Sequence, residues 1–183
     1  MKNKSFIIIL ALLVVILLAA VPLYRNLSGT VSDPAPTVSQ PQATTIPATD
    51  FTFTTFEGQE VRLSDYFGKP IVLNFWASNC IYCVQEMPSF QQAYEVYGEE
   101  VQFLMVNVTS GRWDNETTAR DFLDTTDYTL PFFLNTDDDA TAPYGLHGLP
   151  VTYFLNAEGN LVGRRSGMMS HELLLGGIDL IHH

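Results

Sequence analysis

Cys80 and Cys83 are the only cysteines in the chain, and they stand at C-x-x-C spacing directly behind the apolar run Ile71-Val72-Leu73-Asn74-Phe75-Trp76. The run reads as a buried strand. A strand that delivers a C-x-x-C to the start of a helix leaves few folds to choose among. Thiols on adjacent helical turns lie close enough to close a disulfide without backbone movement. The first sits at the helix N-terminus, where the dipole favours thiolate over thiol. Spacing alone admits a structural staple, a metal site or a redox pair. A staple gains most from closing a long loop, and this loop is very short. A c-type haem site needs His after the second cysteine, where Val84 stands.

The N-terminus reads as a membrane signal. Lys2 and Lys4 precede an unbroken apolar run over residues 6–21, extended by Pro22, Leu23 and Tyr24. With its flanks that is about the length needed to span a bilayer, roughly 20 residues. The lysines place the N-terminus in the cytoplasm and the remainder outside. A cleaved signal peptide is the competing reading, but the apolar stretch is long for one and Ala19-Ala20 lacks a clean cleavage site. No cysteine follows the run, which excludes a lipoprotein anchor. The expectation is a single-pass signal anchor over residues 1–25, with the working domain on the extracytoplasmic side of the cell membrane. Residues 26–49, rich in Ser, Thr, Pro, Gln and Ala, read as a disordered tether. The globular domain is expected over 50–183.

From Asp50 onward there are 19 acidic residues and six basic ones, a formal charge of −13. No basic stripe is available to neutralise phosphates, so nucleic acid is excluded as a partner. Anionic membrane surfaces are disfavoured for the same reason.

Within the domain, Phe51-Thr52-Phe53 alternates, and strands are predicted at 71–76, 101–108, 132–134, 150–155 and 161–165. Helices are predicted at 80–97, with Pro88 as a kink point, at 115–124, and after a Ser170 cap with Leu173, Leu174 and Ile178 turned inward. Strands alternating with helices predict an α/β sheet with parallel members covered on both faces. At about 100° per residue, Cys83, Met87, Phe90, Ala93, Tyr94 and Tyr97 share one face of the long helix. Glu86 falls inside that apolar arc. An inward carboxylate is costly unless it has a partner or a role. Either the Pro88 kink swings Glu86 to solvent, or a buried acid sits beside the dithiol, where it would exchange protons with Cys83 and raise nearby thiol pKa values.

The segment from Asn74 to Pro88, read as N-F-W-A-x-x-C-x-x-C-x-x-E-M-P, resembles the active-site stretch of the thioredoxin-like TlpA/ResA group of membrane-anchored thiol–disulfide oxidoreductases. The likeness covers about 130 residues and continues through Val106-Asn107-Val108-Thr109 and through Tyr144 to Leu155. It implies a thioredoxin fold with the group's helix–strand insertion, here residues 109–135. The buried aspartate of thioredoxin proper is replaced by Asn74, with Glu86 as the acid. The resemblance also implies a cis peptide at Leu149-Pro150 against the C-x-x-C, leaving the backbone before it free to pair with a substrate strand.

Implied catalytic residues are Cys80, Cys83, Glu86 and Pro150, with Trp76, Asn79 and Leu149 at the substrate. The implied activity is disulfide reduction of protein substrates, with a CcdA-type membrane dithiol donor and no cofactor. Candidate targets are apocytochrome c, a secreted methionine sulfoxide reductase, or assorted secreted disulfides. Asn79 stands where the group usually has Trp, Ile81-Tyr82 lacks the group's frequent proline, and Val151 replaces a frequent Thr. Ala77 excludes a peroxiredoxin-type peroxidase, which needs Ser or Thr three residues before its cysteine. The alternative is a redox-sensing or copper-carrying module without turnover, with His147 beside the two cysteines; no metal site is expected. Asp137-Asp138-Asp139 reads as an exposed turn, because the Gly and Glu of a calcium loop are missing.

Overall fold

A computed structural model describes residues 46–109, 112–136 and 140–182. The apolar run of residues 6–21, residues 26–45 of the tether, and Asp137-Asp138-Asp139 lie outside the described residues. Among those described, no helix is long and apolar enough to cross a membrane.

The elements run in the order β1 (Ile46–Pro47), β2 (Thr52–Thr55), β3 (Glu60–Arg62), a 3-10 turn (Leu63–Tyr66), β4 (Ile71–Trp76), α1 (Ile81–Tyr97), β5 (Gln102–Asn107), α2 (Glu116–Asp124), β6 (Phe132–Leu134), β7 (Val151–Leu155), β8 (Asn160–Ser166) and α3 (His171–Asp179). The strands form one mixed sheet in the order β1-β8-β7-β4-β5-β6-β2-β3. β4 pairs parallel with β5, and β5 with β6, while β7 runs antiparallel to β4. Short β1 pairs with β8 through Ile46 and Pro47. Strand β1 therefore lies a few residues before the expected boundary at 50, inside the stretch read as tether.

Alternation along β4 divides the core. Ile71, Leu73 and Phe75 face one apolar cluster with Phe51, Phe53, Tyr144 and Tyr153. Val72 and Trp76 face the other, built with Cys83, Met87, Phe90 and Ala93 of α1 and Leu174 and Ile178 of α3. β4 is buried along its whole length, as its near-continuous apolar run requires in a strand covered on both faces.

One local expectation is corrected. The sequence turns Leu173 inward with Leu174 and Ile178, but it is 50% exposed. A helix turning about 100° per residue cannot aim adjacent Leu173 and Leu174 at one contact, and Leu174 takes it. Helix α1 runs from Ile81 to Tyr97 with Pro88 inside it, on the exposed side.

Candidate active site

The site forms where β4 ends and β7 begins. Phe75 pairs with Val151, so the chain leaving β4 toward Cys80 and the chain entering β7 from Pro150 meet at the same end of the sheet. The Leu149-Pro150 peptide is cis. Cys80 and Leu149 both pack against the helix-side cluster.

Cys80 is the N-cap of α1, and its Sγ accepts the backbone N–H of Cys83 at 3.3 Å. The two cysteines are joined in a disulfide, with Cα atoms 5.3 Å apart. Their surroundings differ sharply. Cys80 is half-buried, whereas Cys83 is wholly enclosed, one helical turn further in. Ile81 and Tyr82, between them, point to solvent. An exposed sulfur at a helix N-terminus is placed to attack, and an enclosed one to resolve.

Glu86 lies one turn beyond Cys83 and is 1% exposed. The Pro88 kink does not swing it to solvent. Period-two alternation puts Asn74 on the helix side of β4, and register sets it beside Thr152 of β7. The Asn74 amide nitrogen donates to Glu86 Oε1 at 2.9 Å and to Thr152 Oγ1 at 3.0 Å. The Met169 N–H donates to Glu86 Oε2 at 2.8 Å. Burial pushes the Glu86 carboxyl up to about 7, against the opposing pull of the Met169 and Asn74 donors. A carboxyl titrating there exchanges a proton readily at neutral pH.

Trp76 was expected at the substrate and is not placed to touch one. It is fully buried and packs edge-on against Phe132 and beside Phe122. As the last residue of a central strand on the helix side, it supports the redox loop from beneath. Asn79 is exposed beside Cys80, and Leu149 is half-buried beside Pro150. His147 is exposed on the rim of the groove next to Leu149. Among the described residues, no three of His, Cys, Asp and Glu are grouped to hold a metal.

Sequence reasoning missed Asp114. It is buried and accepts the N–H of Ser78 at 2.6 Å, two residues before Cys80. It also accepts Asn107 Nδ2 and the Asn115 N–H, each at 2.9 Å, and the Thr118 hydroxyl. Burial alone would raise its pKa, but the donors from Thr118, Asn107, Ser78 and Asn115 prevail and hold it below the ordinary carboxylate range. The segment between β5 and α2 thereby fastens the loop that presents Cys80. Asp114-Asn115-Glu116 is legible as a helix start, but the bond to Ser78, 36 residues away, left no local signal.

A half-exposed N-cap cysteine bonded to an enclosed partner, on a thioredoxin-type α/β sheet, defines a thiol–disulfide oxidoreductase. Comparison with known proteins agrees. The AhpC/TSA family model matches residues 45–164. The thioredoxin-like protein YneN of Bacillus subtilis is 33% identical over 133 residues, which cover 73% of this chain and 77% of that one. The thiol-disulfide oxidoreductase ResA of Geobacillus thermodenitrificans is 34% identical over 126 residues, 68% of this chain and 70% of its own. Among solved structures, StoA of Bacillus subtilis superposes with a TM-score of 0.61 at 26% identity, covering 71% of this chain and 96% of that one. A thiol:disulfide interchange protein DsbE, named as putative, from Chlorobium tepidum gives 0.68 at 25%, covering 76% and 97%. The chain belongs to the AhpC/TSA family, with the ResA-type thiol–disulfide oxidoreductases as its relatives.

Proposed function

We propose that the chain reduces disulfides in polypeptides outside the cytoplasm, held to the membrane by its N-terminal apolar segment. The asymmetry of the cysteine pair carries this reading: one sulfur is reachable at a helix N-terminus, and the other is enclosed beside a carboxyl that titrates near neutrality. In the reduced protein the Cys80 thiolate attacks one sulfur of a substrate disulfide. A mixed disulfide forms at Cys80 and the first substrate sulfur leaves as thiolate. Cys83 gives its proton to Glu86 and attacks Cys80 Sγ. The second substrate sulfur then leaves and is protonated. Two electrons have passed to the substrate, and the Cys80–Cys83 disulfide remains.

The Leu149 N–H and C=O have no backbone partner among the described residues. An extended substrate segment can pair there as an added strand. A membrane dithiol donor of the CcdA type is the reductant that this location requires. Apocytochrome c and secreted disulfide proteins are the target classes.

The reduction potential of the Cys80–Cys83 pair tests the direction. A value below about −250 mV supports a reductase, and one near about −120 mV, the range of a strong oxidant, overturns it. Replacing Cys83 by Ser blocks the resolving step, so the Cys83→Ser chain should hold its substrate as a mixed disulfide on Cys80 and identify it directly.

A further inference from the structure

Strand β8 carries Arg164, Arg165 and Ser166 along the edge of the site. Register sets Arg164 against Tyr153 and Ser166 against Val151. Beside them opens a groove of about 430 Å³, lined by His147, Leu149, Val151, Arg164 and Ser166 together with three glycines. Leu149 and Val151 flank Pro150, so the groove begins where substrate backbone would pair.

Arg164 is held in place there. Its Nε donates to the Tyr153 hydroxyl at 2.8 Å, and its guanidinium carbon lies 5.4 Å from the Tyr153 ring centroid. That hydroxyl in turn donates to Tyr144 O at 2.5 Å. The Nε is therefore occupied and the guanidinium lies over the Tyr153 ring, while neither terminal nitrogen has an acceptor among the described residues. The other arginines with ion pairs are matched locally, Arg62 by Asp50 and Arg120 by Glu116. No ion pair among the described residues includes Arg164. A domain with 19 acidic residues and six basic ones has thus left a pre-oriented guanidinium uncompensated at the mouth of this groove. A planar fork with free N–H groups suits a carboxylate. The carboxylates elsewhere on the domain are largely screened beyond about 8 Å at physiological salt, so the local cation decides which residue docks here.

We propose that this groove selects polypeptide segments that carry Asp or Glu near the disulfide cysteine, with that carboxylate seated on Arg164. The inference rests on the reading that Cys80 exchanges disulfides with polypeptides, and it names the substrate class of that site.

The test uses the full chain and a series of disulfide-linked peptides. Each peptide carries Glu, Gln or Lys at one of the three positions on either side of its cysteine. At its best position the Glu peptide should exceed the Gln peptide about two- to fivefold in kcat/KM, the size of an exposed charge pair. The gain should lie in KM, with kcat unchanged, and should shrink as salt rises. Arg164→Gln should erase the preference, Arg164→Lys should retain part of it, and Arg164→Glu should invert it toward the Lys peptide. Inversion cannot come from a merely damaged fold. Equal turnover of all peptides, or a Glu preference that survives in Arg164→Gln, overturns the groove assignment while leaving disulfide exchange standing. Turnover of no peptide by the wild-type chain overturns the exchange reading and the groove assignment with it.

Discussion

Glu86 is a carboxyl whose proton the fold controls. Both of its oxygens accept donors, from Asn74 and Met169, yet burial prevails and its pKa rises from 4.5 to about 7. The folded protein therefore binds this proton more tightly than the unfolded chain does. Stability from the group is complete below pH 4.5 and is lost as pH rises through about 7. At 1.36 kcal/mol per unit, the loss across that window is about 3 kcal/mol. A Glu86→Gln chain cannot titrate there. Urea unfolding of the oxidised proteins at pH 5 and pH 8 should show the wild type losing about 3 kcal/mol more than Glu86→Gln over this interval. Parallel pH profiles would mean that the carboxyl is not buried as described. Asn74 shows the same economy of placement. Its Oδ1 is buried without a partner among the described residues, while its Nδ2 serves both Glu86 and Thr152. The side chain is positioned by what its nitrogen must reach.

At the level of elements, α3 covers the sheet by close approach. A Cβ on Gly177 would stand 2.1 Å from the Phe154 ring, whereas one on Gly176 would meet nothing within 4 Å. Glycine at 177 lets the helix lie on β7, and glycine at 176 only loosens it. Gly177→Ala should destabilise the protein by about 1–3 kcal/mol through overpacking. Gly176→Ala should stabilise it by about 0.5–1 kcal/mol, because alanine costs less entropy in a helix. Thermal unfolding of the two variants should move in opposite directions, and a shared direction would contradict the packing of α3. The sequence hides this distinction, because two adjacent glycines look alike until the helix phase is known. It also hid β1, whose Ile46-Pro47 pairing with β8 depends on a strand more than a hundred residues later. What it did show were features with local periods: the apolar run of β4, the helix starts near 80 and 115, the cap at Ser170, and Glu86 on the inner arc of α1. Asp114 and Leu173 were missed or misplaced because each depends on what packs against it from elsewhere in the chain.

At the scale of the whole molecule, charge and site oppose each other. The domain carries a formal −13 from Asp50 onward, and such a field acts on the net charge of any approaching protein. The groove acts on one residue after contact. A substrate protein with net positive charge and an acidic residue beside its cysteine satisfies both. The two effects are separable by salt, because the field governs encounter and is screened over a Debye length of about 8 Å at 0.15 M. Two disulfide proteins of similar size and opposite net charge, each below its KM, provide the comparison. Raising NaCl from about 0.02 M to about 0.3 M should lower kcat/KM for the cationic protein roughly tenfold and raise it for the anionic one. Arg164→Gln should leave both slopes almost unchanged, because one charge in thirteen barely alters the field. If the two proteins instead respond to salt in parallel, encounter is not steered by the domain's charge, and its acidity serves solubility alone.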